Sequence, residues 1–366
     1  MQFTHETLPQ RLVFATADAA AAVKAEVDAL GGTRVMLIAS DREASLADPI
    51  ASQVPVVLRY DEVVMHVPVE VAERARAAAA EAEVDLLISV GGGSTTGLAK
   101  AIALTSGLPI IAVPTTYAGS EATNVWGLTE GETKTTGVDP KVLPASIVYD
   151  ASLLVSLPAD LVVASGLNAM AHCIDAMWGP RVDPIDQALA QEGIRGLAEG
   201  LTRISQTTAG EASIEGIEQT LYGAYLAAGA FSSAGSGMHH KICHVLGGMF
   251  NLPHAQTHAV VLPYVLAFNA PNAPEAEARI ATAFGTSTAV EGLATLRERL
   301  DAPRALKDYG MPEDGIAKAV PAIRAAIPAN NPTPVTDENL TALLRAAWSG
   351  APASAPTENE KSGELA

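Results

Sequence analysis

Through residues 1–150, short β-branched runs alternate with Ala-rich amphipathic stretches, and after Pro158 the runs stop. RVMLIAS, VVLRYDEVV, DLLISV, PIIAVP and ASIVYD read as strands, and AAAVKAEVDAL, VEVAERARAAAAEAE and TTGLAKAIALTS read as helices. Parallel neighbours need a crossover between them, so this alternation predicts a parallel, Rossmann-like sheet with helices on both faces. Beyond Pro158, segments such as PADLVVASGLNAMAHCIDAMW and PIDQALAQEGIRGLAEGLTRI carry only helical apolar spacing. The expected organisation is an α/β domain over residues 1–157, an all-α domain over 158–350, and a small, polar, Pro-containing loose end over 351–366.

Size and charge narrow the function classes. A chain of 366 residues with 48% hydrophobic and 17% charged residues has enough apolar material for two substantial cores. A net charge of −18 argues against a nucleic-acid partner, because phosphate binding needs clustered Lys and Arg. The N-terminal MQFTHETLPQ lacks the pattern of a signal peptide, and no apolar run suggests a membrane span. Two cysteines, Cys173 and Cys243, give no disulfide framework, so a reducing cytoplasm is expected. Each reads as a small buried residue.

The strand DLLISV runs directly into Gly91, Gly92, Gly93 and Ser94 and then into a helix. Such a turn lets the backbone approach an anion, and the helix N-terminus offers free N–H groups and a positive dipole end. The next strand leads into PTTYAGSEAT, where Thr115, Thr116, Ser120 and Thr123 supply hydroxyls at the carboxyl end of a neighbouring strand. Together the two loops predict dinucleotide binding in the first domain. Asp41, after the strand RVMLIAS, is placed to hold a ribose hydroxyl and to favour NAD over NADP, although Arg42 beside it pulls the other way. Lys134 and Lys241 are candidates for cofactor or carboxylate contacts. Tyr117, in the cofactor loop, is a candidate for substrate contact or for packing.

Six of the eight histidines lie between His172 and His258, five of them in HHKICHVLGGMFNLPHAQTH. Asn168 and His172 are four apart on a predicted helix and share a face, as do His240 and His244 on another. Gly247, Gly248 and Pro253 are expected to break the second helix and return His254 to the same region. The spacing is that of metal ligands on two helices and a turn.

The combination of GGGS, PTTYAGSEAT, LNAMAHCIDA and HHKICHVLGGMFNLPHAQTHAVVLPYVLAFN resembles the iron-containing (group III) alcohol dehydrogenase superfamily, and the resemblance spans nearly the whole chain. It implies an active site between an α/β dinucleotide domain and a helical domain. It also implies a metal held at the positions of Asn168, His172, His240 and His254, with His244 near the nicotinamide. Here Asn168 replaces the ligand carboxylate, Gly97 stands where an Asp is usual, and the Tyr117 loop is one residue shorter than the usual pattern.

These departures are similar to the maleylacetate reductase branch. That likeness implies NADH-dependent reduction (with NADPH an alternative donor) of the C=C bond of a small dicarboxylate, maleylacetate, to 3-oxoadipate in aromatic-compound degradation. A cytoplasmic homodimer is the corresponding expectation. A neutral Asn is a poor ligand for a hard divalent cation, so no metal is expected; were one bound, His172, His240 and His254 would hold it. The histidines then act as hydrogen-bonding groups, with His240 or His244 polarising the ketone or supplying the proton. A metal-dependent alcohol or polyol dehydrogenase is the alternative within the superfamily, and a catalytically silent NAD-binding protein the alternative outside it.

Overall fold

The computed structural model describes residues 1–131, 133–207 and 213–353. The chain forms two compact units. One is Thr7–Leu157 with Ala212–Leu221, and the other is Met1–Glu6, Pro158–Glu211 and Tyr222–Ala366. A single division after residue 157 therefore misplaces two short segments, for a reason carried by side chains. His5 Nδ1 lies 2.8 Å from Asp183 Oδ2, which ties the first residues to the helical unit. Thr16 donates its hydroxyl to Glu218 at 2.6 Å, which ties a later segment to the α/β unit.

The α/β unit runs β1 (Arg11–Phe14), α1 (Ala19–Leu30), β2 (Val35–Ile38), α2 (Ala44–Ala51), β3 (Val56–Tyr60), α3 (Val69–Glu81), β4 (Leu86–Gly91), α4 (Gly93–Ser106) and β5 (Ile110–Pro114). A hairpin of β6 (Val125–Glu130) and β7 (Thr133–Val138) follows, then β8 (Ser146–Tyr149). The main sheet has the order β1-β8-β5-β4-β2-β3, and all its pairings are parallel. The five strands read from the sequence are present. The structure adds β1 at one edge and the separate antiparallel hairpin.

Alternation along β2 shows why such strands are apolar throughout. Val35 and Leu37 pack with Val23, Val27 and Ile50 from α1 and α2, while Met36 and Ile38 pack with Ala72, Leu98 and Ile102 from α3 and α4. Both faces are buried, so every position must be apolar. The chain leaves β2 toward β3 on one side and leaves β4 toward β5 on the other. The connections thus diverge between β2 and β4, and the crevice at their carboxyl ends is where open α/β sheets take ligands. Asp41 lies just beyond β2, and Gly91 to Ser94 end β4 and open α4.

In the helical unit no strand occurs among the described residues. The order is α5 (Ala159–Ala176), α6 (Pro184–Ser205), α7 (Ile214–Ala234), α8 (Met238–Phe250), α9 (His254–Asn269), α10 (Pro274–Phe284), α11 (Ala289–Arg299), α12 (Gly315–Ala326) and α13 (Asp337–Ser349). The beginning of α7 counts with the α/β unit. α5 is buried from Ala164 to its end, so its polar residues Asn168, His172 and Asp175 are interior. A core of Met238, Ile242, Leu246, Val261 and Phe268 joins α8 and α9, and Ile316, Ile323, Leu340 and Leu344 of α12 and α13 close over it.

One expectation is corrected. Gly247 and Gly248 do not break α8, which runs through them to Phe250. It ends instead at Asn251, in the left-handed conformation (φ 50°, ψ 41°), and Pro253 then precedes α9. His254 is therefore the first residue of α9, not part of a turn. A Gly pair inside a helix costs propensity, but it needs a left-handed residue to stop the hydrogen-bond ladder.

Candidate active site

Two constellations are built by these elements, one in each unit. In the α/β unit Gly91 has φ +154°, and a Cβ there would lie 2.3 Å from Thr95 Oγ1, so only glycine fits the end of β4. Gly92 caps α4 without a side-chain partner, which leaves its first N–H groups available to an anion. The amide of Thr115 donates to the Gly91 carbonyl at 3.1 Å, which holds the second loop against the first.

Behind these loops sits Lys100, buried on α4. Its ammonium donates to the carbonyls of Ser120 (2.6 Å), Thr123 (2.8 Å) and Val125 (2.8 Å) and to Thr123 Oγ1 (3.1 Å). Burial lowers its pKa to about 7, with the Glu121 carboxylate acting against that shift. Four oxygen acceptors favour the ammonium form. Burial raises Glu121, while the Tyr149 hydroxyl, donating at 2.7 Å, lowers it.

Thr115, Thr116 and Ser120 remain at the loop as anticipated, with Thr116 and Ser120 partly exposed. Thr123 instead spends its hydroxyl on Lys100 and on the Ser120 carbonyl, so it belongs to the scaffold. Tyr117 is fully buried, with its hydroxyl unpartnered among the described residues and its pKa pushed up by burial. Asp41 is exposed beyond β2. The side chain of Lys134 lies outside the described residues.

In the helical unit the histidines gather around α5, α8 and α9. His172, His239, His240 and His258 are buried, while His244 and His254 are partly exposed. His172 stacks on His240 with ring centres 4.9 Å apart, and Phe231 lies 4.8 Å from His172 and 4.2 Å from His240. His254 lies 4.3 Å from His258, and His244 lies 6.0 Å from His240. The anticipated residues do meet, but the trio able to converge on one cation is not the expected His172, His240 and His254. Ligand atoms of His239, His240 and His258 come within 4.8 Å of one another. The cause is that His239 turns its ring toward α9, where its Nε2 lies 3.0 Å from His258 Nδ1.

Asp175 organises this cluster. It lies at the end of α5 against the start of α8, where its carboxylate accepts the amides of Gly237 (2.8 Å) and His239 (3.2 Å). A Cβ on Gly237 would lie 2.5 Å from Asp175 Oδ1, so the approach requires glycine. The same carboxylate lies 2.9 Å from His240 Nδ1. Backbone donors fix it as an acceptor, so His240 carries its proton on Nδ1 and leaves Nε2 as a lone pair, unpartnered among the described residues. Burial pushes Asp175 up to about 6, against its amide bonds.

Burial also lowers the imidazoles: His172 to about 4, His239 to about 3, and His240 and His258 well below the usual value. These four imidazoles are neutral. In the His239–His258 pair one ring donates and the other accepts. Either tautomer leaves one outward N–H and one outward lone pair, on His239 Nδ1 and His258 Nε2.

Asn168 is buried, with its carbonyl oxygen unpartnered among the described residues. The donors available to a divalent cation are thus imidazole nitrogens and one amide oxygen. Both oxygens of Asp175 are already engaged.

The residues to which the sequence reading gave no role are His239, His258, Asp175 and Lys100. His254 and His258 were within reach of the four-residue spacing rule. Lys100 stands one turn beyond Thr96 in the glycine-loop helix, a further signal available to the eye.

Two family models match the chain: iron-containing alcohol dehydrogenase over residues 9–151, and the C-terminal part of the Fe-containing alcohol dehydrogenase family over residues 162–348. The chain belongs to the iron-containing alcohol dehydrogenase family. It is an oxidoreductase. A maleylacetate reductase of Sphingobium indicum is 43% identical, over 96% of this chain and 99% of that one. The crystal structure of an iron-containing alcohol dehydrogenase from Corynebacterium glutamicum has a TM-score of 0.93 at 61% identity, covering 96% of this chain and 98% of that one. That of a maleylacetate reductase from Agrobacterium tumefaciens has a TM-score of 0.89 at 38% identity, covering 96% and 99%. Family membership agrees with the glycine turn and the histidine positions, and it makes Asn168 the informative departure.

Proposed function

We propose that this chain reduces the C=C bond of maleylacetate to 3-oxoadipate with a nicotinamide cofactor, NADH in preference, and that it does so without a resident metal. The observation that carries the reading is the donor set of the histidine cluster. It offers neutral hydrogen-bonding groups, while Asn168 stands at the carboxylate position and Asp175 is committed to amides and to His240. A dehydrogenase acting on alcohols must stabilise an alkoxide, for which a Lewis acid is suited. A conjugated ketone makes a milder demand, because hydrogen-bond donors suffice for an enolate. The likeness to maleylacetate reductases at 43% identity supports the same substrate.

The nicotinamide, when bound, supplies the hydride. Delivery to the alkene carbon β to the ketone moves the π pair onto the ketone oxygen. The unpartnered N–H of the His239–His258 pair is the candidate to hold the resulting enolate. Protonation of the α carbon then restores the ketone, for a balance of maleylacetate, NADH and H⁺ to 3-oxoadipate and NAD⁺. His244, partly exposed beside His240, is the candidate to relay that proton, and Lys241 is a candidate partner for a substrate carboxylate. Asp41 beyond β2 favours NADH by meeting a ribose hydroxyl and repelling a 2′-phosphate.

The test is to prepare the protein in chelator, measure its metal content, and follow NADH oxidation with maleylacetate. Full turnover in metal-depleted protein is expected. Turnover that returns only with iron or zinc would overturn the metal-free reading. One observation favours a second reading. His239, His240 and His258 can converge on a cation, and Asp175 behind His240 is the usual outer partner of a ligand histidine. In that case aldehydes would be turned over in a zinc- or iron-dependent manner and maleylacetate would not.

A further inference from the structure

A second cluster of ligating side chains lies in the helical unit, outside the histidine site. His5, Asp183 and Asp186 bring one atom each within 4.8 Å of one another, and Ser233 stands beside them. Helix α6 begins with a capping box, which uses one oxygen of each aspartate. Asp183 Oδ1 accepts the amides of Ile185 (2.7 Å) and Asp186 (3.0 Å), and Asp186 Oδ2 accepts the amide of Asp183 (3.2 Å). Capping explains those two oxygens and leaves the other two over.

The remaining oxygens point the same way. Asp183 Oδ2 lies 2.8 Å and Asp186 Oδ1 lies 3.6 Å from His5 Nδ1, and Ser233 Oγ lies 3.4 Å from the same nitrogen. Asp186 is completely buried, and its Oδ1 has no close hydrogen-bond partner among the described residues; the Ser233 hydroxyl and His5 Nδ1, 3.6 Å away, are the groups that favour its charged form. A buried carboxylate oxygen left without a donor is costly, and such a group requires a reason.

We propose that His5, Asp183 and Asp186, with the Ser233 hydroxyl, form a site for a divalent transition-metal cation. Ligand atoms about 2.1 Å from a metal stand about 3.0 Å apart at the cis edges of an octahedron and about 3.4 Å apart in a tetrahedron. The separations of 2.8, 3.4 and 3.6 Å around His5 Nδ1 are near that scale, so small side-chain shifts would bring these atoms onto one cation. One nitrogen and two carboxylates suit zinc, manganese or iron, and two negative charges supply what the histidine cluster lacks. Each carboxylate is already oriented by the backbone amides of the capping box, which serve as its outer partners. Bound there, the cation links the N-terminal segment to the start of α6, 178 residues along the chain.

The experiment is calorimetric titration of the chelator-treated full chain with Zn²⁺ and, separately, with Mn²⁺. It compares the wild type with His5→Gln, Asp186→Asn and His240→Ala. The expected result is a saturable step that weakens about 10- to 100-fold in His5→Gln and in Asp186→Asn and persists in His240→Ala. Absence of any saturable step with either cation at millimolar concentration would overturn the proposal. So would a step lost in His240→Ala and unchanged in the other two. His5 lies in an irregular segment, so His5→Gln keeps the test valid if Asp186→Asn, which alters the capping box, fails to fold.

Discussion

Asn168 and Asp175 lie on the same buried helix, two turns apart, and only one of them has work that is visible in its contacts. Asn168→Ala removes an amide whose carbonyl meets no donor among the described residues. Turnover with maleylacetate is expected to stay within severalfold of wild type. A drop of about 100-fold, the scale of losing a transition-state contact, would show that the amide touches the reacting atoms. Asp175→Asn is the contrasting case. It replaces an acceptor with a group that presents N–H to one of its donors, and it removes the reason for His240 to keep its proton on Nδ1. Steady-state kinetics should show kcat reduced by about 100-fold or more, with NADH affinity little changed; an unaltered kcat would remove the His240 tautomer from the mechanism.

At the scale of elements, α4 ties the cofactor loops together through its first turns. Gly91→Ala drives a methyl group into Thr95, and a weakened NADH affinity read by fluorescence titration is the expected outcome. Lys100→Met leaves the carbonyls of Ser120, Thr123 and Val125 without their donor. The expected loss is on the order of 3 kcal/mol in urea unfolding, and a loss below about 1 kcal/mol would mean that water replaces the ammonium.

Elements also show what could be read in advance. Strands β2, β3, β4, β5 and β8 and the glycine turn were legible because β-branched runs and Gly-Gly-Gly-Ser carry their own local physics. Four-residue spacing placed His172, His240 and His244 correctly. The edge strand RLVF was too short to register, and the hairpin around Gly131 is a half-exposed pair that does not read as core. His239 sits about 100° around the helix from His240, and only the arrival of α9 gives it a partner. Asp175 was silent for a similar reason, since its role exists only once the start of α8 reaches the end of α5.

For the whole molecule, four buried neutral imidazoles set the response to acid. Their folded pKa values lie below 6.5, so between about 4 and 6.5 the unfolded chain binds more protons at these sites than the folded one. Each then removes up to about 1.4 kcal/mol of stability per pH unit as pH falls. Asp175 acts with the opposite sign. Its folded pKa, about 6, stands above the ordinary 3.8, so it adds stability over roughly the same interval and offsets about one histidine. The net expectation is a melting temperature that falls steeply below pH 6.5, measured by calorimetry. A flat profile from pH 7 to 5 would mean that the cluster is not neutral in the folded state. No helix among the described residues is long and apolar enough to cross a membrane.

Neither unit is a single stretch of chain, and this bears on how the molecule is made. The α/β unit includes residues 212–221, and the helical unit includes residues 1–6. During synthesis the sheet can assemble once β8 has emerged, but its unit stays incomplete until residue 221 has left the ribosome. The first six residues must wait longer, exposed, for the helices they will join. A gene cut at codon 157 would therefore leave each product without a piece of itself.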